Sequence, residues 1–173
     1  GSGETNVPAD LGTVTALSAG GYHTCALTTI GVVRCWGDND NGQTNVPADL
    51  GAVQSISAGF SHTCALTRTG VVRCWGSNGY GETNVPADLG TITALSAGGY
   101  GYHTCALTTT GIARCWGVNW YGQTDVPTDL GTITALSAGG YHTCALTTTG
   151  IARCWGVNWY RSEEHTSELQ SRQ

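Results

Sequence analysis

Short apolar-rich runs alternate with turn residues along the chain. From Asp10 to Pro47, Leu11-Gly12 punctuates, and Val14-Thr15-Ala16-Leu17-Ser18-Ala19 predicts a first strand. Gly20-Gly21-Tyr22 turns the chain, His23 to Thr28 predicts a second strand, and Thr29-Ile30-Gly31 a turn. Val32 to Trp36 predicts a third strand and Gly37 to Gly42 a loop. Gln43 to Val46 predicts a short fourth strand ended by Pro47.

The same pattern returns four times. His-Thr-Cys-Ala-Leu-Thr begins at His23, His62, His103 and His142, each copy followed by Arg-Cys-Trp-Gly, so the period is 39, 41 and 39 residues. The middle period is longer because Gly-Tyr is doubled between Gly98 and Tyr102. A unit of this length cannot bury its own apolar faces, so the units must stack as an array. Units of about 10–47, 48–86, 87–127 and 128–160 therefore form one repeat domain over residues 1–160. Four short antiparallel strands per unit make the fold all-β and each unit a propeller blade, about four of them in this chain. Such an array builds a surface from equivalent loops, which suits binding better than a single catalytic pocket.

The Thr-x-Gly turn sets the register of each hairpin. A three-residue loop ends in a left-handed residue, here Gly31, so Thr28 closes it against Val32. Counting outward, Ala26 faces Arg34 and Cys25 faces Cys35, the latter at a non-hydrogen-bonded position where side chains approach most closely. The same count pairs Cys64 with Cys74, Cys105 with Cys115, and Cys144 with Cys154. Disulfides fit that spacing. Free buried thiols, or a zinc site from His23, Cys25 and Cys35, are the alternatives; close-spaced Cys-x-x-Cys pairs are absent, so no metal is expected.

Both ends cut a unit midway. The chain begins at Gly-Ser-Gly-Glu-Thr-Asn-Val-Pro without a Met, and after Tyr160 the expected Gly-Gln-Thr is replaced by Arg161-Ser162-Glu163-Glu164-His165. Residues 161–173 resemble the in-frame translation of a sequencing-adapter oligonucleotide and are set aside as non-native, a natural polar tail being the alternative. The chain reads as an internal fragment of a longer repeat protein.

Charge narrows the partners. Residues 1–160 hold five Arg, no Lys and nine acidic residues, for a net charge of about −4. Nucleic acid and anionic membrane both require clustered basic charge, so neither is expected. No apolar run approaches spanning length, so membrane insertion is not expected either.

The motifs Gly-x-x-His-Thr-Cys-Ala-Leu, Gly-x-x-x-Cys-Trp-Gly-x-Asn and Gly-Gln-Thr closely resemble the regulator of chromosome condensation repeat, nearest to its bacterial, cysteine-bearing variety. The resemblance covers residues 1–160. It implies a seven-bladed propeller, of which four units would supply an open arc. The family includes a nucleotide exchange factor for a small GTPase, the plant ultraviolet-B receptor and secreted inhibitors of β-lactamase. It implies no cofactor.

Comparison of the units with one another locates the variable face. The Thr-x-Gly turns and Val-Pro-x-Asp-Leu-Gly connections share one face and scarcely differ. The opposite face carries the loop before His and the loop after Trp-Gly, and there the units diverge. Candidate partner-binding residues are Tyr22, Asp38, Asp40, Phe60, Tyr80, Tyr102, Trp120, Tyr121, Tyr141, Trp159 and Tyr160. Rigid aromatic loop residues bury contact area at little entropic cost, although they could also cover the ends of the blade core. His23, His62, His103 and His142 head the second strands and are expected to line the inner rim. No carboxylate or nucleophile accompanies them at a fixed spacing, so a repeated structural hydrogen bond is expected rather than catalysis. Trp36, Trp75, Trp116 and Trp155 are expected to fill the blade core. Arg34, Arg73, Arg114 and Arg153 are expected to bridge neighbouring blades.

The expected function is a non-enzymatic, protein-binding scaffold, secreted or at the cell surface, since paired cysteines suit an oxidising compartment. A guanine-nucleotide exchange factor for a small GTPase is the alternative and would need a reducing cytoplasm. An enzyme lacks an acid/base pair in register, and ultraviolet sensing would rest on Trp120 and Trp159 alone.

Overall fold

The computed structural model describes residues 2–100 and 102–158. Trp159, Tyr160 and the polar tail over 161–173 lie outside the described residues.

Twelve strands form four antiparallel sheets of three. The first sheet contains β1 (Val14–Ala19), β2 (His23–Thr28) and β3 (Val33–Gly37). The second contains β4 (Val53–Ala58), β5 (His62–Thr67) and β6 (Val72–Gly76). The third contains β7 (Ile92–Ala97), β8 (His103–Thr108) and β9 (Ala113–Gly117). The fourth contains β10 (Ile133–Ala138), β11 (His142–Thr147) and β12 (Ala152–Gly156).

The hairpin register follows the turn chemistry. Thr28 N–H bonds to the Val32 carbonyl at 2.9 Å, and Gly31 takes a φ of 83°. Cys25 stands opposite Cys35 and Ala26 opposite Arg34, with the same pairing in the other three sheets. All four cysteine pairs are disulfides, with Cα atoms 4.1 Å apart in the first three and 4.0 Å in the fourth. No free cysteine remains among the described residues, which removes both the thiol and the thiolate-zinc alternatives.

The expected fourth strand does not form. Asn45 N–H bonds back to the Gly42 carbonyl and Val46 N–H to that of Thr44, both at 3.0 Å, so local turns consume the backbone donors. The Gln43 carbonyl is taken by side chains of the next blade, Trp75 Nε1 at 3.0 Å and Thr63 Oγ1 at 2.9 Å. Each blade therefore has three strands, and the loop after Trp-Gly is a clamp onto its successor.

Successive blades touch mainly along their first two strands, and the third strands add Val33, Val72 and Ala113 at their starts. Ser18 Oγ accepts the Ala58 amide at 2.9 Å, and Ser57 and Ser96 repeat the bond at the next two boundaries. The apolar cores lie between blades. Leu27 and Val33 of the first pack with Val53, Ala65 and Trp75 of the second. Leu66 and Val72 meet Ile92 and Trp116, and Leu107 and Ala113 meet Ile133 and Ala145. The two outer blades show what a missing neighbour leaves bare. Leu17 of the first is 66% exposed, and Leu146 of the last is 41% exposed where its equivalents are buried.

The arginines do not bridge blades. Arg34, Arg73, Arg114 and Arg153 pair with Asp10, Asp49, Asp88 and Asp129, at 2.8–3.2 Å. Each aspartate lies in the connection that enters the same blade, so the pair ties an outer strand to its own lead-in. Both partners are well exposed, so each pair contributes little stability. Arg34 and Arg114 nevertheless hold the carboxyls of Asp10 and Asp88 below the usual range, first by hydrogen bonding and then by charge.

Candidate functional site

The strand order places the two variable loops of every unit on one face. β1 rises to the Gly20-Gly21-Tyr22 turn, β2 descends, and β3 rises to the loop beginning at Asp38. Backbone bonds stitch the two loops together: Asp38 N–H to the Tyr22 carbonyl, Ser77 to Ser61, Val118 to Tyr102 and Val157 to Tyr141, at 2.8–3.0 Å.

On this platform the rings meet across blade boundaries. Tyr22 packs edge-on against Phe60, with centroids 5.1 Å apart. Phe60 touches Tyr100 at 4.8 Å and Tyr102 at 5.4 Å. Tyr80 joins Tyr102 at 5.3 Å and Trp120 at 5.0 Å, and Tyr121 joins Tyr141 at 5.4 Å. The line Tyr22, Phe60, Tyr102, Tyr80, Trp120 is continuous through the first three blades, and Tyr121 with Tyr141 links the third to the fourth. Trp120 is 63% exposed and Tyr100 61%, and Tyr22, Tyr80 and Tyr121 are also exposed. Edge-to-face and tilted contacts of this kind fix ring orientation while leaving ring faces open.

Tyr100, an exposed ring of the same loop as the expected Tyr102, joins the line from the side through Phe60. Its signal was the doubled Gly-Tyr, which lies wholly between the end of β7 and the start of β8. Tyr102 takes a φ of 45°, the one positive value among described non-glycine residues. A bulky residue there is strained, and the ring contacts with Phe60 and Tyr80 accompany the strain. Burial, with Tyr80 next in effect, raises the Tyr102 phenol above its ordinary pKa.

Asp38 is bonded through its backbone to Tyr22, and Asp40 lies in the same loop. Asp38 accepts Gln43 Nε2 at 2.6 Å, and Asp40 is exposed. Glu82, at the position of Gln43, is buried, and its carboxylate accepts the Tyr80 amide at 2.8 Å and the Ser77 hydroxyl.

The histidines are buried between blades rather than presented on a rim. His23 Nε2 lies 2.8 Å from Thr63 Oγ1, His62 Nε2 2.9 Å from Thr104 Oγ1, and His103 Nε2 3.0 Å from Thr143 Oγ1. His142 heads the last blade and is exposed, because the partner threonine would come from a following blade. Burial lowers the pKa of His62 to about 4, aided by the neighbouring His23 and His103, and that of His23 also to about 4 against the opposing charge of Asp38. Trp75 and Trp116 are buried in the interblade cores, with Trp36 and Trp155 partly buried in the outer blades. Among the described residues no cluster of three or more His, Cys, Asp or Glu could hold a metal ion.

Four segments, 14–43, 53–82, 92–123 and 133–159, match the regulator of chromosome condensation (RCC1) repeat. No curated protein matches the chain. Among solved structures, the ectodomain of the Physcomitrella patens receptor kinase CR4 is 31% identical over 87% of this chain and 43% of its own, with a TM-score of 0.71. The CRINKLY WD40 ectodomain of the Arabidopsis thaliana receptor kinase ACR4 is 28% identical over 84% and 51%, with a TM-score of 0.66. Prp20p of Saccharomyces cerevisiae, studied for its binding properties to Gsp1p and histones, is 20% identical over 86% and 46%, with a TM-score of 0.75, a likeness of fold alone. The chain spans about half the length of these proteins.

Proposed function

The chain belongs to the regulator of chromosome condensation (RCC1) repeat family, and on that premise we propose that it is a scaffold binding a protein partner through the aromatic loop face. One observation carries the reading: rings from successive blades join into a line while Tyr22, Tyr80, Tyr100 and Trp120 stay exposed. Apolar area kept in water on a rigid platform is the raw material of a binding hot spot. The role we assign is binding rather than catalysis, because His23, His62 and His103 are engaged in interblade hydrogen bonds with threonine.

The compartment that fits is extracellular or cell-surface. Four disulfides suit an oxidising environment, and the 31% identical structure is a receptor-kinase ectodomain. Nucleotide exchange on a small GTPase has no comparable support, since the likeness to Prp20p concerns fold alone.

Selection of a phage-displayed random dodecapeptide library on the chain tests the reading. Enriched peptides should lose at least about tenfold in affinity for the Trp120→Ala/Tyr121→Ala variant and bind the opposite-face Ile112→Ser variant normally. Peptides that bind the ring variant undiminished would overturn it.

A further inference from the structure

This inference rests on the reading of the aromatic face as the binding surface and adds the chemistry of what sits on it. Charge is sorted between the two faces of the molecule. Four arginines are engaged by Asp10, Asp49, Asp88 and Asp129, the aspartates of the connections that share a face with the β-hairpin turns. The one other arginine among the described residues, Arg68, lies in the β5–β6 turn, on the face opposite the rings. The chain has no lysine. Glu4, Asp38, Asp40, Glu82 and Asp125 have no arginine at ion-pair distance among the described residues. Asp38, Asp40, Glu82 and Asp125 occupy the stretch between a third strand and the following Val-Pro, which includes the ring-bearing loops, and Glu4 holds the equivalent place before Val7-Pro8.

The ring face thus holds carboxylates and open aromatic faces, with neither lysine nor arginine among its described residues. Asp38 sits at one end of the line, where its backbone N–H bonds to the Tyr22 carbonyl, and the exposed Asp40 follows in the same loop. Near the middle, the buried Glu82 side chain accepts the backbone amide of Tyr80, whose ring joins Tyr102 to Trp120.

From this arrangement we infer that the partner presents a cationic segment, with lysine or arginine side chains laid along the line of rings. An ammonium or guanidinium within about 6 Å of a ring centroid is attracted to the negative π face. The methylene stem of such a side chain covers apolar ring area, which an exposed ring otherwise leaves in water. The carboxylates add long-range attraction and repel acidic or phosphorylated segments. A neutral, proline-rich segment would satisfy the rings but not the charge.

Fluorescence anisotropy with labelled dodecapeptides tests the inference on the intact, disulfide-bonded chain. The probes are alternating Lys-Gly, the same peptide with every lysine acetylated, alternating Pro-Gly, and alternating Glu-Gly. The lysine peptide should bind, acetylation should weaken it at least about tenfold, and the glutamate peptide should not bind. Raising NaCl from about 50 to about 300 mM should weaken lysine-peptide binding severalfold. Asp38→Asn/Asp40→Asn and Tyr80→Ala/Trp120→Ala should each cost at least about fivefold. Asp129→Asn, which changes net charge on the other face, should change it less than about twofold.

Equal binding of the lysine and acetyl-lysine peptides would overturn the inference, as would no lysine-peptide binding up to about 1 mM. Equal losses in the Asp38/Asp40 and Asp129 variants would overturn it too, by showing diffuse attraction of a polycation. If the neutral peptides bind in a Trp120-dependent way, the cationic assignment fails while the face remains the binding surface. If removing Tyr80 and Trp120 alters the binding of no peptide that binds, the assignment of the face itself fails.

Discussion

His62 donates across the boundary between the second and third blades to Thr104, Nε2 to Oγ1 at 2.9 Å. The single hydroxyl proton of Thr104 is already given to the Glu82 carbonyl at 3.1 Å, so the imidazole must carry its proton on Nε2. His23, Thr63 and the Gln43 carbonyl repeat the relay at the preceding boundary. Nδ1 of His23 and of His62 is buried without a hydrogen-bond partner. In the second blade Gly59 packs against the His62 ring so closely that any Cβ would overlap it. A proton arriving at Nδ1 would create a buried cation with nothing to receive its new donor.

Acid should therefore loosen the array. The unfolded chain protonates these imidazoles as pH falls through about 6.5, whereas the folded chain resists until about 4. Stability is fully present above pH 6.5 and declines as pH falls between those values, by at most about 3 kcal/mol for His62. Urea midpoints measured from pH 7.5 to 4.5 should fall steadily, and His62→Asn should remove one proton from the slope. A flat midpoint across that range contradicts the buried neutral assignment.

The second expectation concerns the bridges. Each closes a loop with a sequence separation of ten, within a hairpin already held by its ladder. On the chain-entropy model each contributes roughly 2–3 kcal/mol. Intact mass with and without reductant should differ by about eight hydrogens, one pair per bridge, and the reduced chain should unfold at lower urea. Masses that do not change, or peptide mapping that pairs cysteines of different units, would contradict it.

The cysteine register was legible because the Thr-x-Gly turn is a local device, and local geometry propagates outward from Gly31 to Cys25 and Cys35. The absent fourth strand was not legible. Gln-Thr-Asn-Val has strand-like composition, but its fate is decided by Trp75 and Thr63, which reach the Gln43 carbonyl from 32 and 20 residues away. The variable face could be read by comparing units, yet the contact of Tyr22 with Phe60 depends on interblade spacing, which no local pattern encodes. The Asp10–Arg34 pair had a visible signal in the recurrence of both residues in every unit. Assigning the arginine to a neighbouring blade failed because the aspartate belongs to the lead-in of the same blade.

Core and surface tryptophans should separate cleanly. Trp116 is buried in the second interblade cluster and donates Nε1 to the Glu82 carbonyl at 2.9 Å. Trp116→Ala should cost about 3–5 kcal/mol. Trp120 and Tyr121 lie on exposed loops, so replacing both by Ala should cost less than about 1 kcal/mol of stability. Urea melts of the two variants check this, and the reverse order would interchange the core and the face.

The loop between β7 and β8 offers the sharpest separation of fold from function. Deleting Gly99 and Tyr100 leaves Ser-Ala-Gly-Gly-Tyr-His-Thr-Cys, the sequence found at the same place in the first and fourth units. Both strand ends, Ala97 and His103, are unchanged by that edit, so the β7–β8 register should survive. The Tyr102 φ of 45° has no counterpart among the described non-glycine residues of the shorter loops, so the deletion should relieve strain. Stability should rise by up to about 1 kcal/mol, because a bulky residue in the left-handed region costs about that much or more. The face loses the Tyr100 ring, 61% exposed and packed on Phe60, so peptides selected on the parent chain should bind the deletion variant more weakly. A destabilised variant would mean that the insertion supports the blade, and one with undiminished binding would remove Tyr100 from the binding surface.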